Sequence, residues 1–325
     1  MANERANVVP LASPAPARKP VVGFARADSI QIQPIDWLID GWIAKDSLAG
    51  LVGPSGSCKS FLAIDWACRV ATGTPWNGCD VQRGAVFVIA GEGRNGLRKR
   101  IEGWSFHTGV SIEGAPLFIA STMPPLADGF GGVHVIAEIE ELTDELFFNC
   151  GGIEPSLIVI DTVARAMAGK NENSAQDVGE LIACMDLLRD RWGATVLAVH
   201  HTGHDASGRA RGSSSFYAAL DSEVLMKPRA NALELKQTKA KDWQPPHPIL
   251  LKPSPVFVTV PGTDTQTTTL VLMNGGKAER PADRDGAVRE LREQGLSVRA
   301  IGKELEMSKS AVERALKRLG EEVEP

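Results

Sequence analysis

The run LAGLVGPSGSCKSFLA, Leu48 to Ala63, holds the residues best suited to chemistry. An apolar stretch with Leu48, Leu51 and Val52 enters a loop of Gly53, Pro54, Ser55, Gly56, Ser57 and Cys58, and Lys59, Ser60 and Phe61 then open an apolar-periodic helix. Successive N–H groups at a helix N-terminus form a cradle for an anion, which the helix dipole favours. In the spacing G-x-x-x-x-G-K-[ST], Lys59 reaches the β- and γ-phosphates of a bound nucleotide and the Ser60 hydroxyl ligates Mg²⁺.

Cys58 stands where that pattern has its last glycine. A small side chain is tolerated at a first helical turn; the competing readings are a damaged phosphate site or a thiol activated by the helix N-terminus.

Two further carboxylates sit where strands should end. GAVFVIAGEG is an apolar run closing on Glu92, and LIVIDT closes on Asp161. Buried parallel strands read this way, and ligands of α/β sheets bind beyond their carboxyl ends. Asp161 is a Walker B acid that would hold Mg²⁺ with Ser60. Thr162 follows it where a second acid is common, so Glu92 becomes the candidate general base. ATVLAVHH ends in His200 and His201, which could hydrogen-bond a γ-phosphate. A metal site of His200, His201 and His204 is the weaker reading, because neither spacing nor strand setting matches a zinc helix. The loop GHDASGRARGSSS adds Arg209 and Arg211.

The elements that must position these groups suit a chain of 325 residues with 43% hydrophobic and 23% charged residues. Residues 1–28, rich in Ala and Pro, read as a disordered lead; 29–274 as the large α/β domain; 275–282 as a linker; and 283–325 as a small helical module with an acidic tail. SEVLM, ALELKQ, PVFVTV and TTTLVLM read as antiparallel strands added to a mostly parallel sheet. Lys239 and Lys241, flanking one alanine, share a strand face that is either a solvated surface or a phosphate contact. In the last module Ser297 and Ser308 are placed as N-caps, and Ile301, Leu305, Met307, Val312 and Leu316 follow a helix-turn-helix pattern whose second helix spans about Lys309 to Leu319.

Five scattered cysteines without C-x-x-C spacing argue against a zinc ribbon or a disulfide framework. No signal peptide or membrane-length apolar run is legible, so a cytoplasmic location is expected. A net charge of -5 gives no global attraction for nucleic acid and confines any such contact to local basic loops.

From Ile35 to Met273 the chain resembles a RecA-like P-loop ATPase of the plasmid RepA-type hexameric helicase family, on GPSGSCKS, Glu92, LIVIDT, the His pair and RGSS. The resemblance implies a RecA-like core, ATP and Mg²⁺, and assembly as a hexameric ring. It implies that Glu92 activates the attacking water, that His200 or His201 senses the γ-phosphate, and that Arg211 reaches a neighbouring subunit's nucleotide. Lys239 and Lys241 resemble a K-x-R/K pair that acts in trans. The expected function is an ATP-driven motor on single-stranded DNA in plasmid or phage replication, with replication proteins and duplex DNA as further partners and no membrane. The alternatives are a nucleotide-controlled DNA-binding regulator that works through the helix-turn-helix, and a recombination mediator that coats DNA without unwinding it.

Overall fold

The computed structural model describes residues 24–91, 94–150, 152–203, 213–260, 262–278, 281–305 and 307–320. The chain divides into two units, Met1–Ile35 and Asp36–Pro325. The described part of the first holds one short turn, Ala27–Ser29, flanked by Arg26 and Ile30 in the extended region.

In the second unit, strands β1 (Trp37–Ile39) and β2 (Ile43–Ala44) form a hairpin, and β3 (Leu48–Gly53) leads into α1 (Lys59–Thr72). There follow β4 (Ala85–Ala90), α2 (Arg94–Thr108), β5 (Leu117–Ile119), α3 (Gly131–Cys150), β6 (Pro155–Asp161), α4 (Val163–Ala166) and α5 (Ala175–Trp192). Then come β7 (Thr195–His201), α6 (Ser214–Ala219), β8 (Ser222–Arg229), β9 (Ala232–Ala240), β10 (Ile249–Thr259) and β11 (Gln266–Lys277). The last segment holds α7 (Pro281–Glu293), α8 (Val298–Glu304) and α9 (Lys309–Arg318).

One nine-stranded sheet runs β11-β10-β9-β8-β3-β7-β6-β4-β5. The block from β8 to β5 is parallel, and β9, β10 and β11 extend it antiparallel. This is the mixed sheet of a RecA-like P-loop core. β3 and β4 are buried along their whole length, because helices cover both faces. α1 and α2 pack with Leu51, Val88 and Val199 on one face; α3 to α6 pack with Ile89, Ile160 and Ala198 on the other.

Asp65, inside α1, anchors the first face. Its buried carboxylate accepts from Arg69 Nε at 2.8 Å, Trp76 Nε1 at 2.9 Å and Trp104 Nε1 at 2.7 Å. Burial pushes its pKa up, against the pull of Arg69 and the indoles. Three donors from α1, the turn after it and α2 thus converge on one acid, a tie that no local sequence pattern announces.

The expected linker begins later than read. β11 continues through Lys277 and α7 starts at Pro281, since the ladder to β10 holds Ile249 opposite Lys277. In the helical segment, Ser297 and Ser308 accept from the N–H groups of Ala300 and Ala311, and Val288, Ile301, Val312, Ala315 and Leu316 form a small core. Arg318 grips Asp285 with two hydrogen bonds, of 2.8 and 2.6 Å, tying α9 to α7. Among the described residues, no helix is long and apolar enough to cross a membrane.

Replacing Asp65 with alanine would strand two buried indole N–H groups and remove the carboxylate from a partly buried guanidinium, and should lower the unfolding free energy by about 3–5 kcal/mol. Urea titration of Asp65→Ala checks this; a loss under about 1 kcal/mol, the worth of one ordinary hydrogen bond, would show that the network is not a structural anchor.

Candidate active site

The parallel strands deliver their C-terminal ends to one edge of the sheet. Ala90 lies opposite Asp161, Asp161 opposite Val199, and Val199 opposite Leu51. Two residues further on, His201 lies opposite Gly53. Strand alternation therefore puts Asp161 and His201 on the α1 face of the sheet and His200 on the other.

The histidine pair thus separates into two roles. His201 Nδ1 lies 3.2 Å from Lys59 Nζ. An ammonium has only protons to give, so Nδ1 accepts and the imidazole carries its proton on Nε2. His200 is buried, with its ring edge-on to Phe216 of α6 at 5.3 Å, and does not face the phosphate loop. The metal reading loses its basis, because His200 and His201 point to opposite faces. His204 lies outside the described residues.

Lys59 is almost fully buried. Its ammonium donates to Gly53 O at 2.9 Å and Pro54 O at 2.8 Å as well as to His201. Burial pushes its pKa down to about 8, although Asp161 pulls it back up. Gly53 is required for close approach: a Cβ there would stand 2.4 Å from Met226 O and 2.8 Å from Ser57 Oγ. Ser57 is held within the loop by its hydroxyl on Pro54 O at 2.8 Å. Phe61 N–H donates to Cys58 O at 3.0 Å, whereas the N–H groups of Lys59 and Ser60, the first two of α1, have no acceptor within the helix and suit an anion.

Cys58 is the N-cap of α1, with φ 60 and ψ 22 in the left-handed region. That conformation is why glycine suits the position; the cysteine carries strain there. The expectation of an activated thiol is corrected. Burial raises its pKa, and this outweighs the opposing influence of Arg100 and Lys59.

The involvement of Arg100 was not legible in the sequence. From α2 its guanidinium lies 4.5 Å over the ring of Phe61, the residue after Ser60. The two line a cavity of about 320 Å³ with Pro255, Thr268 and Leu270 of the β10–β11 hairpin. The hairpin comes this close because residue 103 is glycine; a Cβ there would lie 2.3 Å from Thr269 Cγ2.

Other expected residues lie apart. Lys239 donates to Tyr217 O at 2.6 Å and Ala218 O at 3.0 Å, and Lys241 pairs with Asp221 at 2.7 Å. Asp221 also accepts from Leu48 N, at the start of β3. Both lysines therefore sit at the opposite end of β3 from Gly53, and a contact with this chain's own nucleotide is ruled out. Glu92, Arg209 and Arg211 lie outside the described residues. Ser213, the residue after the Arg211-Gly212 pair, caps α6.

Residues 12–207 match the family model described as an AAA domain. The chain belongs to the AAA domain family. No curated protein matches it. As an AAA domain the chain is a nucleotide-binding, ATP-hydrolysing protein. The hydroxyl of Ser60 and the carboxylate of Asp161 are hard oxygen donors of the kind Mg²⁺ takes together with substrate phosphates. Among the described residues no group of three or more His, Cys, Asp or Glu could hold a metal ion.

Relief of the left-handed strain should make Cys58→Gly more stable than the parent by about 1 kcal/mol, read from thermal or urea unfolding. The parent thiol should label with iodoacetamide more slowly than free cysteine at neutral pH, since burial reduces its thiolate fraction. A destabilised glycine variant, or a thiol faster than free cysteine, would contradict this description of the loop.

Proposed function

We propose that this AAA domain is an ATP-driven motor on single-stranded DNA, of the RepA-type ring helicase kind, working as a hexamer. The observation that carries the reading is the meeting of Lys59, Asp161 and His201 at one edge of a mostly parallel sheet, with the end of β4, one residue short of Gly91-Glu92, paired beside them. Nucleotide sits on the N-terminus of α1, with its base in the cavity of Phe61 and Arg100, where a planar ring can stack against a guanidinium. Ser60 and Asp161 hold Mg²⁺, which when bound offsets charge on the phosphates.

In this reading Glu92 takes the proton of the attacking water. His201, rather than His200, reports the γ-phosphate, because it already shares a hydrogen bond with the lysine that phosphate would claim. Arg211 reaches the nucleotide of the next subunit, and Lys239 and Lys241 act only in trans, given their place at the far end of β3. The helical segment serves as a helix-turn-helix for duplex DNA. On α9 the exposed Ser310, Arg314 and Lys317 are available to a groove, while Arg318 is engaged with Asp285.

The strained Cys58 favours one second reading, a DNA-binding regulator in which nucleotide controls assembly and turnover is slow. Steady-state hydrolysis with and without single-stranded DNA, beside strand separation on a forked duplex, distinguishes the two. The motor reading expects DNA to accelerate turnover and ATP to drive separation. Glu92→Gln should bind ATP as the parent does and lose about 100-fold or more in turnover. Turnover indifferent to DNA, with no strand separation, would overturn the motor, and an unaffected Glu92→Gln would remove that base.

A further inference from the structure

A second cavity opens beside the one that Phe61 and Arg100 line. It lies between the first turns of α2 and the tip of the β10–β11 hairpin, and its volume is about 460 Å³. Gly96 and Lys99 line both cavities, so the two adjoin across them. A Cβ on Gly96 would meet nothing within 4 Å, so bare backbone floors the join and leaves it open to a ligand. The mononucleotide proposed above, with its phosphates on α1 and its base beside Phe61, occupies the first cavity and has no part left for the second.

The second cavity has the chemistry of a polyanion site. Arg98, Lys99 and Arg100 line the pair of cavities against one carboxylate, Glu102, in a chain whose net charge is -5. Glu102 is engaged by Arg98 one turn before it, and Arg100 lies over Phe61. Lys99 is left. It is half-buried, and among the described residues it has neither a carboxylate nor a hydrogen-bond acceptor. Around it Asn95, Thr259 and Thr267 add an amide and two hydroxyls, neutral groups that donate to phosphate oxygens.

An aromatic ring stands beside these donors. Phe257 is the one aromatic residue of the hairpin, and it is 62% exposed. It lies opposite Thr268, which lines the first cavity, and two residues before Thr259, which lines the second. Strand alternation puts all three on one face of the hairpin.

We infer that single-stranded nucleic acid runs along the tip of this hairpin, with a backbone phosphate on Lys99 in the second cavity and a base stacked on Phe257. A cationic groove beside an aromatic platform is how unpaired strands are held, and a duplex, whose bases are already stacked, has no face to offer the ring. Because Lys99 borders both cavities, the strand lies one side chain away from the nucleotide base, which gives DNA a short route to the ATP site. The inference rests on the motor reading proposed above and names the surface that meets the strand.

Fluorescence anisotropy of a labelled oligothymidylate, which forms no duplex, tests it on the full chain with ATP. The parent should bind, with an affinity that falls as salt rises. Lys99→Gln should weaken binding and reduce the slope of log K against log salt by about 0.7 for each subunit on the strand, the share of one phosphate, while Lys99→Arg keeps both. Phe257→Ala should weaken binding roughly 5- to 150-fold, the range for one stacked base, and leave the slope alone. Variants that bind as the parent does, or a Lys99→Gln that weakens binding with the slope unchanged, would overturn this surface and leave the motor reading standing. A parent that binds no oligothymidylate would overturn both.

Discussion

A buried ammonium group governs the phosphate loop. Lys59 has been taken out of water at the end of a sheet and must find acceptors there; it finds two carbonyls of its own loop and one imidazole nitrogen. These neutral partners hold it in place but do not balance its charge, and burial outweighs the attraction of Asp161. The loop is therefore folded around a cation better served by an anion, and a polyphosphate supplies one. The same contacts fix the curl of Gly53 and Pro54 that aims the first N–H groups of α1 at that anion.

The fold exists around this point because parallel strands all end on one side. β3 brings the loop, β6 brings Asp161 and β7 brings His201, while helices on both faces keep the strands buried and in register. The antiparallel hairpin does something different. It lies over α2 at Gly103 and closes a cavity beside Phe61, so a region far along the chain contributes to the loop that begins at Gly53. Asp65 fixes the α1–α2 pair beneath that cavity with its three donors.

Much of this was legible in the sequence because it is local. The glycine-rich loop, the lysine and hydroxyl after it, and the apolar runs ending in Asp161 and in the histidine pair are each contained in a few residues, and the mixed sheet follows from their order. What was not legible depends on register and crossover. The choice between His200 and His201 is decided by which face of β7 each takes. Arg100 over Phe61 depends on how α2 lies on α1. Lys239 lies near the end of β9 and Lys241 just past it, and the antiparallel return of β9 carries both to the wrong end of the sheet for this chain's nucleotide. Cys58 misled in another way. A helix N-terminus lowers a thiol's pKa, whereas burial raises it, and only the fold shows which effect is larger.

Proton uptake on nucleotide binding tests most directly whether the buried Lys59 organises this site. With a pKa of about 8, the free protein holds Lys59 half-protonated at pH 8, and a polyphosphate drawing its full charge must bring in the rest. Calorimetric titration of ATP at pH 8, in buffers of different ionisation enthalpy, should show uptake of about half a proton per nucleotide, shrinking toward zero by pH 7 and absent in Lys59→Met. No uptake at pH 8, or the same uptake in Lys59→Met, would contradict it.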